Sequence, residues 1–94
     1  MAFTYLLRCA DNSYYAGSTL DLDARVEQHG TGLGSVYTST RLPVELVWFQ
    51  EFESLVEAYG WERKLHGWSR AKKESLIEGR WGDLAGYSRR ARGR

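Results

Sequence analysis

The chain is poor in cysteine: Cys9 stands alone, which excludes an internal disulfide. No charged-then-apolar segment opens it, so there is no sign of secretion and a cytoplasmic protein is expected. No apolar run approaches the roughly 20 residues needed to span a bilayer, and no membrane partner is expected. There is no metal site of the His/Cys type, no glycine-rich nucleotide loop after a strand and no Ser-His-Asp order. At 94 residues the chain is expected to form one domain with a modest core and to hold no second catalytic domain.

Aromatics are abundant, with four tryptophans and six tyrosines, so rings are expected to supply much of the buried surface. The net charge of +1 hides a segregated pattern. Residues 80–94 hold five arginines against Asp83, a net +4, and the remaining 8 cations and 11 acids leave residues 1–79 at −3. Residues 63–73 carry Arg63, Lys64, Arg70, Lys72 and Lys73 with no acid, whereas 43–60 carry Glu45, Glu51, Glu53 and Glu57 with no base. Clustered cations are a footprint for polyanions, and equally the signature of a solvated helix face followed by a tail. The division expected is a domain over 1–79 and an Arg-rich tail over 80–94, with Trp81, Leu84 and Tyr87 as its anchors.

Strand-forming runs, Phe3–Cys9 and Tyr14–Ser18, flank the turn formers Asp11-Asn12-Ser13 and predict a hairpin. If Ala10 pairs with Tyr14, Tyr15 lies opposite Cys9, and alternation puts Tyr5 and Tyr15 on one face. A slip of one residue would separate them. Thr19 or Asp21 caps a helix running to about His29 with Gly30 as its stop and Leu22 and Val26 as its buried stripe. The Gly-, Ser- and Thr-rich stretch 30–42 reads as a loop, and Val44–Phe52 as a strand covered on both sides. Ser54 and Glu57 form a capping box for a second helix ending at Gly67, and Ser69 caps a third that Gly79 stops.

Leu55, Ala58 and Leu65 form the apolar stripe of the second helix, and Glu62 falls on it. Burying a carboxylate is costly unless it is paired or metal-bound. One reading pairs it with Arg63, Lys64 or Arg25; the other makes it a ligand to Mg²⁺, a hard ion that takes one or two carboxylates and keeps several waters. Arg25 is either a helix-surface partner of Asp21 or a guanidinium that grips a phosphate. His29 lies four residues on, so both reach one spot. Tyr5 and Tyr15 are either strand aromatics or phenols whose ordinary pKa of about 10 is lowered by cations or a metal. Arg70, Lys72 and Lys73 crowd the first turn of the third helix, where the dipole disfavours cations, as expected if they serve a phosphate backbone.

These residues resemble the GIY-YIG endonuclease family, in particular its small stand-alone bacterial branch, over roughly Phe3 to Ile77. The family's two tripeptides fall on Phe3-Thr4-Tyr5 and Tyr15-Ala16-Gly17, which keep the tyrosines and the last glycine. Closer likeness runs through Ala10-Asp11-Asn12-Ser13, Thr19 to Arg25 with His29, Leu42 to Val47, Glu62-Arg63-Lys64 and Trp68 to Glu74. The resemblance implies an α/β fold, a small three-stranded antiparallel sheet flanked by helices in the order ββαβαα, and a nuclease using one divalent ion. It places catalytic roles on Tyr5, Tyr15, Arg25, His29 and Glu62, the last as metal ligand. The branch usually has Lys or Arg where Val36 stands and Lys where His66 stands, and the tail after Arg80 is expected to compensate.

The expected function is therefore a Mg²⁺- or Mn²⁺-dependent endonuclease acting on DNA. Tyr5, with Tyr15 beside it, orients or deprotonates the attacking water, or His29 is the base; Arg25 and His29 stabilise the phosphate. Tyr37, Lys64, Arg70, Lys72 and Lys73 are expected to hold the nucleic acid, with Tyr37 and Trp68 offering faces for unpaired bases. Little surface remains for reading a long site, so branched or single-stranded DNA is favoured over intact duplex. Two readings compete with this one: a nucleic-acid-binding module without activity, and a regulatory domain acting through the tail.

Overall fold

The computed structural model describes residues 1–79, and the expectations placed on 80–94 lie outside the described residues. Three strands, β1 (Ala2–Arg8), β2 (Tyr14–Thr19) and β3 (Glu45–Phe52), form an antiparallel sheet in the order β2-β1-β3. The helices are α1 (Leu22–Gly30), α2 (Val36–Ser39), α3 (Leu55–His66) and α4 (Arg70–Glu78). The fold is α/β, as expected, with one helix more than expected.

β1 is the middle strand, and Ala2, Thr4, Tyr5, Leu6 and Leu7 are closed to solvent. On one face Leu6 and Ala16 meet Leu65 of α3 and Leu76 of α4, with Val47, Trp48, Trp68 and Ile77 packed around them. Thr4 ties this face to α3 by donating its hydroxyl to the Ala58 carbonyl at 2.6 Å. The opposite face carries Tyr5 and Tyr15 and is closed at the β2 side by His29 of α1.

The hairpin register differs from expectation. Tyr15 pairs with Leu7, not Cys9, because the turn spans Cys9–Ser13, with Cys9 N–H donating to the Ser13 carbonyl at 2.8 Å and Asn12 in the left-handed region at φ 68°. The shift is two residues, the period of the strand, so Tyr5 and Tyr15 still share a face.

β3 is not covered on both sides. It is the second sheet edge, Phe49 is 52% exposed, and Glu45 and Glu51 face solvent, which discourages pairing with another chain. Its apolar middle is explained by an irregularity at Leu6/Leu7 that leaves Val47 as an extra residue, so that Val47 and Trp48 both pack on the core.

The helix starts follow their capping residues. Asp21 accepts from Ala24 N–H, Ser54 from Glu57 N–H and Ser69 from Lys72 N–H, each satisfying a first-turn donor. Leu22 and Val26 are only half-buried, and the buried residue of α1 is His29. Ala58 and Leu65 of the α3 stripe are fully buried, whereas Leu55 is exposed. The stretch read as a loop contains α2, whose N-cap Ser35 accepts from Thr38 N–H at 3.1 Å.

Candidate active site

β2 is a sheet edge, and the candidate site wraps around it. Pairing of Tyr5 with Gly17 and of Thr4 with Ser18 sets Tyr5 on the face covered by α1 and Ser18 on the face covered by α3. The Tyr5 ring reaches across Gly17: a Cβ there would stand 2.3 Å from the hydroxyl oxygen. No residue larger than glycine fits beneath that phenol.

The Tyr5 hydroxyl meets His29 Nε2 at 2.9 Å, and His29 Nδ1 meets Thr38 Oγ1 at 2.8 Å. Thr38 Oγ1 is in turn 2.9 Å from Ser35 Oγ. Tyr5, His29 and Thr38 are all closed to solvent, so the chain of bonds is internal. With the imidazole proton on Nδ1, Nε2 accepts from Tyr5 and every member is satisfied. Burial, reinforced by Arg25, lowers the His29 pKa from 6.5 to about 4, so the ring is neutral at physiological pH. Burial also raises the Tyr5 pKa, and the Arg25 guanidinium pulls it the other way.

Arg25 and Tyr15 are the half-exposed members of this face. Arg25 donates to the Gly34 carbonyl at 2.9 Å and to Gln28 Oε1 at 3.1 Å, and forms no bond to Asp21 through its side chain. Tyr15 lies 5.1 Å from the His29 ring and 5.8 Å from the Tyr37 ring, centroid to centroid. The exposed Tyr37 has the Arg41 guanidinium 3.9 Å above its ring.

Glu62 approaches the strand from the other side. Ser18 donates to its Oε1 at 2.6 Å, and His66 Nε2 lies 3.3 Å from its Oε2. The carboxylate is 19% exposed, and its charge acts on the Tyr5 hydroxyl. Its hydrogen-bond partners are thus Ser18 and His66, not Arg63, Lys64 or Arg25. No group of three or more His, Cys, Asp or Glu side chains that could hold a metal occurs among the described residues. One carboxylate with lone pairs left beside its bonds to Ser18 and His66 fits a hard divalent ion that completes its shell with waters and substrate oxygens.

Of the five expected catalytic residues, Tyr5 and Tyr15 meet at the His29 ring, Arg25 acts on the Tyr5 hydroxyl, and Glu62 stands on the other face of β2 against Ser18 and His66. The expected nucleic-acid cations converge less. Lys64 stands 5.0 Å over Trp61 and Lys72 4.9 Å over Trp68, while Lys73 is half-buried, its pKa lowered by desolvation. Arg70 binds Glu74 at 3.0 Å and the Asn12 carbonyl, and covers the Tyr14 ring. Trp68 packs on the core and is no open stacking face. Four supporting residues were missed: Ser18, Thr38, Ser35 and Gly34, where a Cβ would stand 2.3 Å from His29 Nδ1. The signal available for Gly34 was a glycine beside a serine cap in a stretch otherwise read as loop.

Residues 1–75 match the GIY-YIG catalytic domain. The chain belongs to the GIY-YIG family. It is 43% identical over 75 residues to the UPF0213 protein BH0048 of Halalkalibacterium halodurans, an alignment covering 80% of each. It is 45% identical over 76 residues to the UPF0213 protein YazA of Bacillus subtilis, covering 81% of this chain and 77% of that protein. The solution NMR structure of BH0048 from Bacillus halodurans is similar at a TM-score of 0.53 and 42% identity, covering 83% of this chain and 84% of that one. GIY-YIG is a nuclease family that acts on DNA and generally uses divalent metals. Among the described residues no helix is long and apolar enough to cross a membrane.

Proposed function

We propose that this GIY-YIG protein is a divalent-metal-dependent endonuclease that hydrolyses DNA phosphodiester bonds and prefers single-stranded or branched DNA to intact duplex. The observation that carries this reading is that one edge strand, β2, has the buried Tyr5–His29 pair with Tyr15 and Arg25 on one face and the Ser18-held carboxylate of Glu62 on the other. A merely structural tyrosine has no need of a cation, a carboxylate and a neutral imidazole together.

Tyr15 and Arg25 are the groups open to a bound strand. Arg25 holds the scissile phosphate through guanidinium donors and offsets the charge that develops on it. Tyr15 orients the attacking water. Tyr5 and His29, closed to solvent, act from beneath: the Tyr5 hydroxyl donates to His29 Nε2, and its oxygen lies within reach of the Arg25 guanidinium. In the metal-free fold the Tyr5 phenol keeps its proton and the His29 ring is neutral, so the proton lost by the attacking water has an acceptor in this pair, His29 Nε2 taking it through the Tyr5 hydroxyl. Glu62 holds the divalent ion, Mg²⁺ or Mn²⁺, with Ser18 fixing one oxygen. When bound, that ion polarises the phosphate and stabilises the leaving oxygen.

Support for an unpaired strand comes from the surface next to Ser18. A groove of about 630 Å³ is lined by Ser18, Thr19, Leu20, Asp21, Leu55, Val56 and Tyr59, with Leu20, Val56 and Tyr59 more than half exposed and Asp21 the one charged side chain. Apolar and aromatic side chains there offer a place for bases that a duplex keeps stacked inside, worth about 1–3 kcal/mol per stacked base. Tyr37 extends the surface from Tyr15, and Lys64, Arg70, Lys72 and Lys73 supply phosphate contacts of lower specificity. The test is cleavage of one sequence as single strand, flap and blunt duplex at matched salt, with and without Mg²⁺ or Mn²⁺. Metal-dependent cutting of the first two ahead of the duplex is expected; equal cutting of all three would remove the preference, and binding without cutting under any ion would make the protein a binding module.

A further inference from the structure

Histidine at position 66 adds a donor to the carboxylate of Glu62. The two residues are one turn apart on α3, where side chains at i and i+4 stand on the same face. His66 Nε2 lies 3.3 Å from Glu62 Oε2. Two donors on one ion with bonds of about 2.0–2.2 Å stand roughly 3.0–3.4 Å apart, so the observed spacing already matches a shared cation.

The carboxylate is also prearranged. Ser18, from a different element, donates to Oε1 at 2.6 Å, which holds that oxygen on the strand side and turns Oε2 toward His66. Such outer partners orient metal ligands. His66 itself is 54% exposed, so an ion reaches both donors from solvent.

We propose that Glu62 and His66 together form a two-ligand cation site that prefers first-row transition ions, such as Zn²⁺ or Co²⁺, over Mg²⁺. This rests on the reading of Glu62 as a metal ligand and adds the specificity of that site. Carboxylate and water oxygens suit Mg²⁺, whereas an imidazole nitrogen suits Zn²⁺, Co²⁺ and Ni²⁺ and is a poor ligand for Mg²⁺. The histidine therefore raises affinity for one class of ion and leaves the other unchanged. Waters and substrate oxygens complete the shell, since the described residues provide no third protein ligand of the His, Cys, Asp or Glu type.

The test is a binding experiment on the full chain, independent of cleavage. Zn²⁺ is titrated into wild type, His66→Asn and Glu62→Gln, with affinity read by calorimetry and the imidazole ring signals followed by NMR; Mg²⁺ is titrated in parallel. The chain has two histidines, and His29 has both ring nitrogens bonded inside the fold, which makes the readout selective. Zn²⁺ is expected to shift the His66 ring and spare His29. His66→Asn is expected to weaken Zn²⁺ at least about 10-fold while Mg²⁺ affinity stays within about twofold, and Glu62→Gln to weaken both. Equal Zn²⁺ affinity in wild type and His66→Asn, or an unmoved His66 ring, overturns the two-ligand site and leaves Glu62 as a lone carboxylate ligand. Failure of wild type to cut DNA with any ion would overturn the nuclease reading and leave the Zn²⁺ result standing.

Discussion

The phenol of Tyr5 fills the space that a side chain on Gly17 would need: a Cβ there would lie 2.3 Å from the hydroxyl oxygen and 2.5 Å from Cζ. The ring is rigid and fully buried, so it cannot step aside at low cost. Gly17→Ala is expected to destabilise the fold by about 1–3 kcal/mol through overpacking and to remove cleavage by dislodging the hydroxyl. Thermal unfolding beside a cleavage assay checks both, and a fully active Gly17→Ala would show that the position of Tyr5 is immaterial.

Tyr5→Phe keeps the ring and deletes the bond to His29 Nε2. A buried nitrogen left without a partner costs about 1–3 kcal/mol, and each kcal/mol lowers Tm by about 4–8 °C in a domain of this size. Below that lowered Tm the folded variant is expected to cut at least about 100-fold more slowly. Lost stability with cleavage intact would reduce the Tyr5–His29 pair to a core hydrogen bond.

His29 links stability to pH. Its folded pKa of about 4 lies below the ordinary 6.5, so the unfolded chain binds a proton that the fold refuses. The contribution is complete above about pH 6.5 and is lost as pH falls from there toward 4, by up to about 3 kcal/mol. Denaturant midpoints between about pH 7 and pH 5 should fall for wild type and stay flatter for His29→Asn. The His29 ring followed by NMR should titrate near 4; ordinary titration near 6.5 would contradict its burial.

Arg25→Ala is expected to slow cleavage by about 100- to 1,000-fold, the equivalent of roughly 2.7–4 kcal/mol of transition-state stabilisation. DNA affinity should change far less. A loss under about threefold in rate would leave Arg25 with the local task its geometry also shows, bracing the Gly34 carbonyl against α1.

Local rules made much of this legible in the sequence. The caps Asp21, Ser54 and Ser69 act within their own first turns, and the alternation that puts Tyr5 and Tyr15 on one face survives any even shift of register. What stayed hidden depends on distant neighbours. Whether Tyr15 meets Cys9 or Leu7 is decided by the left-handed Asn12 and the turn bonds around it, and a run of apolar residues does not say that β3 is an edge. Ser18 and Thr38 are ordinary polar residues until Glu62 and His29 arrive beside them from 44 and 9 residues away. Glu62 was readable as an anomaly on an apolar stripe and its neighbour His66 by i,i+4 spacing; its other partner, Ser18, was not.

The most direct measurement compares wild type with Glu62→Gln on one DNA flap, with Mg²⁺ or Mn²⁺ and with chelator, alongside DNA affinity and Tm. The amide keeps the volume and the Ser18 acceptor but removes the charge. Wild type is expected to cut only with metal, and Glu62→Gln to bind DNA and remain folded while cutting is abolished. Full cleavage by Glu62→Gln, or metal-independent cleavage by wild type, would contradict the central claim that Glu62 holds the ion on which hydrolysis depends.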